Sequence, residues 1–161
     1  MAEPLMLVAI AALGLAIGSF LNVCITRIPE ELSIVTPGSH CPRCKTPIRP
    51  FDNIPLVSWL LLRGKCRDCG LPISPMYPLV ELLTGLIFAA CYAEFGMSAE
   101  LIKWLFFAGL VIVLTVTDLQ VRMLPDAVNW PGFGMGLVFS ATVPPQDGTA
   151  LWVLQTFVHR R

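Results

Sequence analysis

No aspartate, glutamate, lysine or arginine interrupts the chain between Leu5 and Ile25. About 20 apolar residues, each rising 1.5 Å in a helix, cross the hydrocarbon core of a bilayer. There, a helix satisfies all its backbone polar groups within one segment. A cleaved signal peptide reads differently: it carries a basic residue ahead of a shorter apolar core, whereas Glu3 is the only early charge here. Gly14, Gly18 and Ser19 fall on one side of the helix and permit close packing of a second helix. Asn22, the single amide of the run, is expected to hydrogen-bond to a neighbouring helix or loop. Tyr77 to Gly96 and Leu101 to Thr117 repeat the apolar pattern, the latter short enough to need snorkelling ends or a thinned bilayer. Val128 to Val143 is weaker because it holds Pro131 and several glycines, and Leu151 to Val158 is too short to cross. Charged residues make up 14% of the chain, against about 25% in soluble domains. The expected fold is all-α and polytopic, with about four transmembrane helices.

Residues 28–76 break the apolar pattern with proline, glycine and charge. They hold Cys41-Pro-Arg-Cys44 and Cys66-Arg-Asp-Cys69. Two Cys-x-x-Cys pairs can offer four thiolates to one tetrahedral Zn²⁺, although the spacer is longer than in the usual ribbon. Two disulfides or four free thiols are the alternatives, and a reducing compartment disfavours the disulfides. So short a segment has little core of its own, and a metal would supply the missing constraint. Seven of the eleven Lys and Arg lie between Arg27 and Arg67, which places this domain on the cytoplasmic side. The stretch Phe51 to Leu62 either lies on the membrane surface, with Trp59 at the interface, or packs on the cysteine knuckles. No internal repeat is evident. The net charge of zero offers no general field for nucleic acid, so none is expected as a partner.

The same topology brings Asp118 to Asp126 to the cytoplasmic face. Asp118 follows an unbroken apolar helix pattern, so its carboxylate stands where a span meets the interface. Aspartic peptidases need two carboxyls, one ionised to activate water and one protonated to polarise the carbonyl. Asp126 follows Pro125 and is expected to cap the next helix or form the turn before it. Glu81, one turn inside its span, is either a functional group or a carboxylate at headgroup depth.

Taken together, these residues resemble the type IV prepilin peptidases. Gly18-Ser-Phe-Leu-Asn-Val-Cys-Ile-Thr-Arg-Ile-Pro29 is similar to the family's first-helix ending, and the two cysteine pairs match its cytoplasmic pairs. Asp52 to Cys66, Ile73 to Gly85 and Leu114 to Asp126 resemble further blocks in the same order. The resemblance implies a bacterial inner-membrane aspartic endopeptidase that removes leaders from prepilins and pseudopilins. It also implies methylation of the new N-terminus from S-adenosylmethionine. Asp118 maps to the first catalytic aspartate, and Asp126 and Glu81 are possible supporting groups. Cys41, Cys44, Cys66 and Cys69 map to the zinc ligands.

The expected divisions are a first helix (1–27), a four-cysteine zinc domain (28–76), helices 2–4 with the aspartate segment (77–143) and an atypical tail (144–161). The family's second catalytic aspartate stands in Gly-x-Gly-Asp, a motif these 161 residues do not contain. A truncated, inactive peptidase is therefore expected. The alternative is a non-catalytic membrane zinc module that binds prepilins or a partner subunit. Oligomeric state and the S-adenosylmethionine site are not legible in the sequence.

Overall fold

The structure is a computed structural model that describes residues 3–122 and 124–143. The tail expected at 144–161 lies outside the described residues. Five α-helices follow one another: α1 (Pro4–Arg27), α2 (Val57–Leu61), α3 (Met76–Phe95), α4 (Ala99–Val121) and α5 (Asp126–Thr142), with a 3₁₀ turn at Pro50–Asn53. Among the described residues there is no β-strand, only two isolated bridges. α1, α3 and α4 are long and apolar enough to cross a membrane. α5 has 17 residues and Pro131 inside it, which gives a length of about 25 Å against the roughly 30 Å of a hydrocarbon core.

Small residues dictate the closest helix contact. A Cβ on Gly14 would stand 2.8 Å from the Cα of Gly85, and one on Gly18 would stand 2.8 Å from the Cα of Glu81. The backbones of α1 and α3 therefore touch, which gains dispersion contacts without a hydrophobic driving force. Asn22 donates from Nδ2 to the carbonyl of Tyr77 at 3.0 Å, tying α1 to the start of α3 as expected. Fully buried Thr84 satisfies its hydroxyl on the carbonyl of Val80 at 2.7 Å. Leu21, Cys24, Ile25, Val80, Ile112, Val113 and Val116 close a core among α1, α3 and α4. α5 adds Val128 alone.

The connections follow from local chemistry. α3 ends at Gly96 with φ +56°, and Ser98 caps α4 by accepting from the Leu101 N–H at 3.2 Å. α4 ends at Arg122 in the left-handed conformation, its N–H bonded to the carbonyl of Asp118 at 2.8 Å. Asp126 is the first residue of α5 and makes no capping bond; Pro125 holds the cap position. The expected Asp126 cap is thus corrected. The fixed φ of Pro125 starts the helix one residue earlier than an Asp126 cap would allow.

Candidate functional site

The cysteines are brought together by two loops of the same design. In the first, the Lys45 N–H bonds to the Cys41 carbonyl, the Cys41 N–H to Thr46 and the Ile48 N–H to Ser39. In the second, Gly70 bonds to Cys66, Cys66 to Leu71 and Ile73 to Gly64 in the same order. Bridges His40–Pro47 and Lys65–Pro72 close the two loops. Each residue has a counterpart 25 positions on, and the repeat is readable as x-Cys-x-x-Cys-x-x-Pro-Ile at residues 40–48 and 65–73. This corrects the expectation of no internal repeat: nine residues with four identities are too short and too far apart to stand out from composition.

The loops face each other crosswise. Cys41 Sγ lies 3.9 Å from Cys69 Sγ, and Cys44 Sγ lies 4.0 Å from Cys66 Sγ. All four sulfurs fall within 4.8 Å of one another. A tetrahedral shell with Zn–S bonds of about 2.3 Å puts ligand sulfurs about 3.8 Å apart, so the donor set fits zinc. All six cysteines of the chain are unpaired. The backbone supplies further support. The Thr46 hydroxyl and N–H hold Cys44 down to about 6, and the N–H groups of Cys69 and Asp68 lower Cys66. Cys69 receives the Leu71 N–H, yet burial and the neighbouring sulfurs push it up to about 11. Four thiolates crowded together repel one another, and a dication removes that conflict.

The second loop is fastened to the rest of the chain. Arg67 forms a two-pronged ion pair with Asp52, at 2.6 and 2.8 Å, which keeps the Asp52 carboxyl below its ordinary range. Trp59 donates its indole N–H to the Ile73 carbonyl at 3.3 Å. Its ring lies where a Cβ on Gly64 would come within 2.9 Å, and Gly64 has φ +67°. Trp59 therefore packs on the second knuckle.

Glu81, on α3, is buried against α1. Its Oε2 accepts the N–H of Leu56 at 2.8 Å. Leu56 sits at φ 60°, ψ −50°, in a γ-turn closed by the Val57 N–H on Pro55 at 2.6 Å. This strained hand of γ-turn costs on the order of 1–3 kcal/mol. A carboxylate bonded to the central N–H helps to hold it. Nothing in the sequence marks this contact, because the partner is a backbone group. Asp118 lies exposed in the last turn of α4 and Asp126 exposed at the start of α5. The structure thus gathers the four cysteines and ties Glu81 to the Leu56 turn, while the two aspartates stand exposed at the end of α4 and the start of α5.

Three helices long and apolar enough to span, with a headpiece whose four converging thiols could hold a metal ion, fit a multi-pass membrane protein. The family profile described as Bacterial Peptidase A24 N-terminal domain matches residues 12–95. The chain belongs to this family, that of the bacterial prepilin peptidases. It is 49% identical over 137 residues to a prepilin leader peptidase/N-methyltransferase of Myxococcus xanthus, covering 85% of this chain and 41% of that one. Proteins of the same name in Neisseria gonorrhoeae and Klebsiella pneumoniae are 37% and 42% identical. These alignments cover 89% and 82% of this chain and 63% and 61% of those proteins. The chain therefore spans between 41% and 63% of the length of these relatives. No solved structure matches it.

Proposed function

We propose that this chain carries the substrate-handling and first-aspartate part of a membrane aspartic endopeptidase that removes leaders from prepilins and pseudopilins. The observation that carries the reading is the 49% identity over 137 residues to a relative named for that activity. Asp118 is proposed as the catalytic aspartate of this part, where it would activate water or, protonated, polarise the scissile carbonyl. Asp126 and Glu81 are supporting candidates, and Glu81 would act through the Leu56 turn. Cys41, Cys44, Cys66 and Cys69 would hold zinc as a structural ion. S-adenosylmethionine, when bound, would supply the methyl group for the new N-terminus; no residue is assigned to it. The basic residues between Arg27 and Arg67 support a cytoplasmic knuckle domain in a bacterial inner membrane.

The second reading is a non-catalytic membrane zinc module for prepilins or a partner subunit. It is favoured by the exposure of Asp118 and by the lack of a Gly-x-Gly-Asp motif in these 161 residues. The test is cleavage of a prepilin with a Gly-Phe leader junction by the reconstituted chain, beside Asp118→Asn. Cleavage that disappears in the variant supports the peptidase reading. Zinc-loaded, inserted chain that leaves the prepilin intact, yet pulls it down, supports the module.

A further inference from the structure

The stretch from Phe51 to Leu62 has two faces. Trp59 and buried Ser58 turn toward the protein, whereas Val57, Leu60 and Leu61 are 48%, 66% and 78% exposed. These three residues stand at i, i+3 and i+4, on one side of α2. Such an apolar row on a polar headpiece needs an occupant.

Depth identifies it. The residue before α2, Leu56, is bonded to Glu81, which lies five residues inside α3, about 7 Å along its axis. Asn53 and Pro55 line a cavity of about 360 Å³ with Ala16, Ser19, Phe20 and Val23 of α1. Ser19 lies eight residues before the end of α1, about 12 Å in from that end. The Glu81 bond holds the start of α2 below the end of α3, while the cavity, lined also by Arg27 and Gly38, runs from Ala16 to the end of α1. Interfacial helices bury their apolar side about 5–10 Å into the boundary between headgroups and acyl chains.

Polar accounting agrees. Backbone groups at such depth must find partners within the protein. The Ile54 N–H bonds to Ser58 Oγ at 3.0 Å, and the Ser58 hydroxyl donates to the Phe51 carbonyl at 2.9 Å. The N–H groups of Ser58, Leu60 and Leu62 bond to carbonyls at Ile54, Leu56 and Ser58. Leu56, whose N–H the turn leaves over, is served by Glu81. Arg49, Arg63 and Lys65 flank the stretch and are exposed, matching an anionic headgroup layer.

We infer that α2 is an interfacial helix seated in the knuckle-side leaflet, with Val57, Leu60 and Leu61 in contact with anionic lipid. The inference rests on the polytopic reading of α1, α3 and α4 and does not depend on peptidase activity. The test uses the full chain in nanodiscs of phosphatidylethanolamine and phosphatidylglycerol, with a fluorescent amino acid incorporated singly at position 61. Positions 43 and 8 serve as references for the knuckle and for the opposite end of α1, where Val8 is exposed. Nitroxide lipids labelled near the headgroup should quench position 61 several-fold more than position 43, and aqueous iodide should do the reverse.

Quenching of position 61 by iodide as at position 43 overturns the inference. Protection of position 61 from both quenchers also overturns it, because protein then covers the face. If position 8 also escapes the nitroxide, the spanning reading fails together with it. Replacing phosphatidylglycerol by a zwitterionic lipid should weaken nitroxide quenching at position 61, and unchanged quenching would remove the anionic preference.

Discussion

The two cysteine loops share one backbone design and differ in how they are held. The first, Ser39 to Ile48, has Lys45 in the left-handed conformation at φ 60°, where the second has Gly70 at φ +69°. The second is pinned by Trp59 against Gly64 and by Arg67 on Asp52, and the same stretch continues through Leu56 to Glu81 of α3. The first loop is approached through the segment that Arg27 holds, donating to the carbonyls of Ser33 and Gly38 at 2.9 and 3.2 Å. The difference teaches that an internal repeat can supply matching ligands while its copies reach the helices by different routes, the first through Arg27 of α1 and the second through Trp59, Leu56 and Glu81 of α3. Metal binding would make the pair one body and lend the first loop the anchoring of the second.

Removing the metal should break this comparison most severely. Structural zinc contributes roughly 10–16 kcal/mol of apparent binding free energy in small modules. Cys41→Ser and Cys66→Ser should each lose the bound ion and expose both loops to protease, as read by metal analysis and limited proteolysis. Equal loss from either side is expected, because each loop gives two sulfurs. Acid should act in the same direction, since protons compete for thiolate ligands and zinc retention falls as pH drops.

Trp59→Ala sharpens the contrast. Loss of a half-buried indole should cost about 2–3 kcal/mol, below the range for fully buried aromatics. Hydrogen exchange should rise at residues 64–73, and in zinc-bound protein residues 39–48 should change little. Equal acceleration in both loops would contradict the asymmetry.

The Asp52–Arg67 pair gives a smaller, pH-dependent effect. Asp52 titrates lower in the folded protein than in the unfolded chain. Its contribution is therefore present above the unfolded carboxyl range and is lost as pH falls through the folded value. Protection of the second loop should decline in acid in the wild type, and Arg67→Ala should flatten that dependence. Added salt should weaken the effect, since the pair is open to solvent.

Lys45→Gly should have the smallest effect, stabilising the first loop by about 0.5–1 kcal/mol through relief of its positive φ. The reciprocal Gly70→Lys should destabilise the second by a similar amount. Thermal unfolding of the zinc-bound protein checks both, and opposite signs are the required outcome.

Much of this molecule was legible beforehand. The apolar runs became α1, α3 and α4 because length and hydropathy act within one segment and need no distant partner. Gly14, Gly18 and Asn22 marked a close helix contact, since small residues and a lone amide have few other uses in a span, and the structure made α3 the partner. The cysteine pairs stood out because thiolate ligands repeat at a fixed spacing, and the ordered blocks up to Asp126 carried the family.

Other features came only with the tertiary structure. It decided that Cys41 meets Cys69 and Cys44 meets Cys66, that Trp59 turns inward while Leu60 and Leu61 turn outward, and that Asp126 begins α5 without capping it. It also decided that Glu81 holds the Leu56 turn. The reason is common to all four. Each depends on groups brought together from distant parts of the chain or on backbone atoms, which every residue possesses alike and which carry no mark in the sequence.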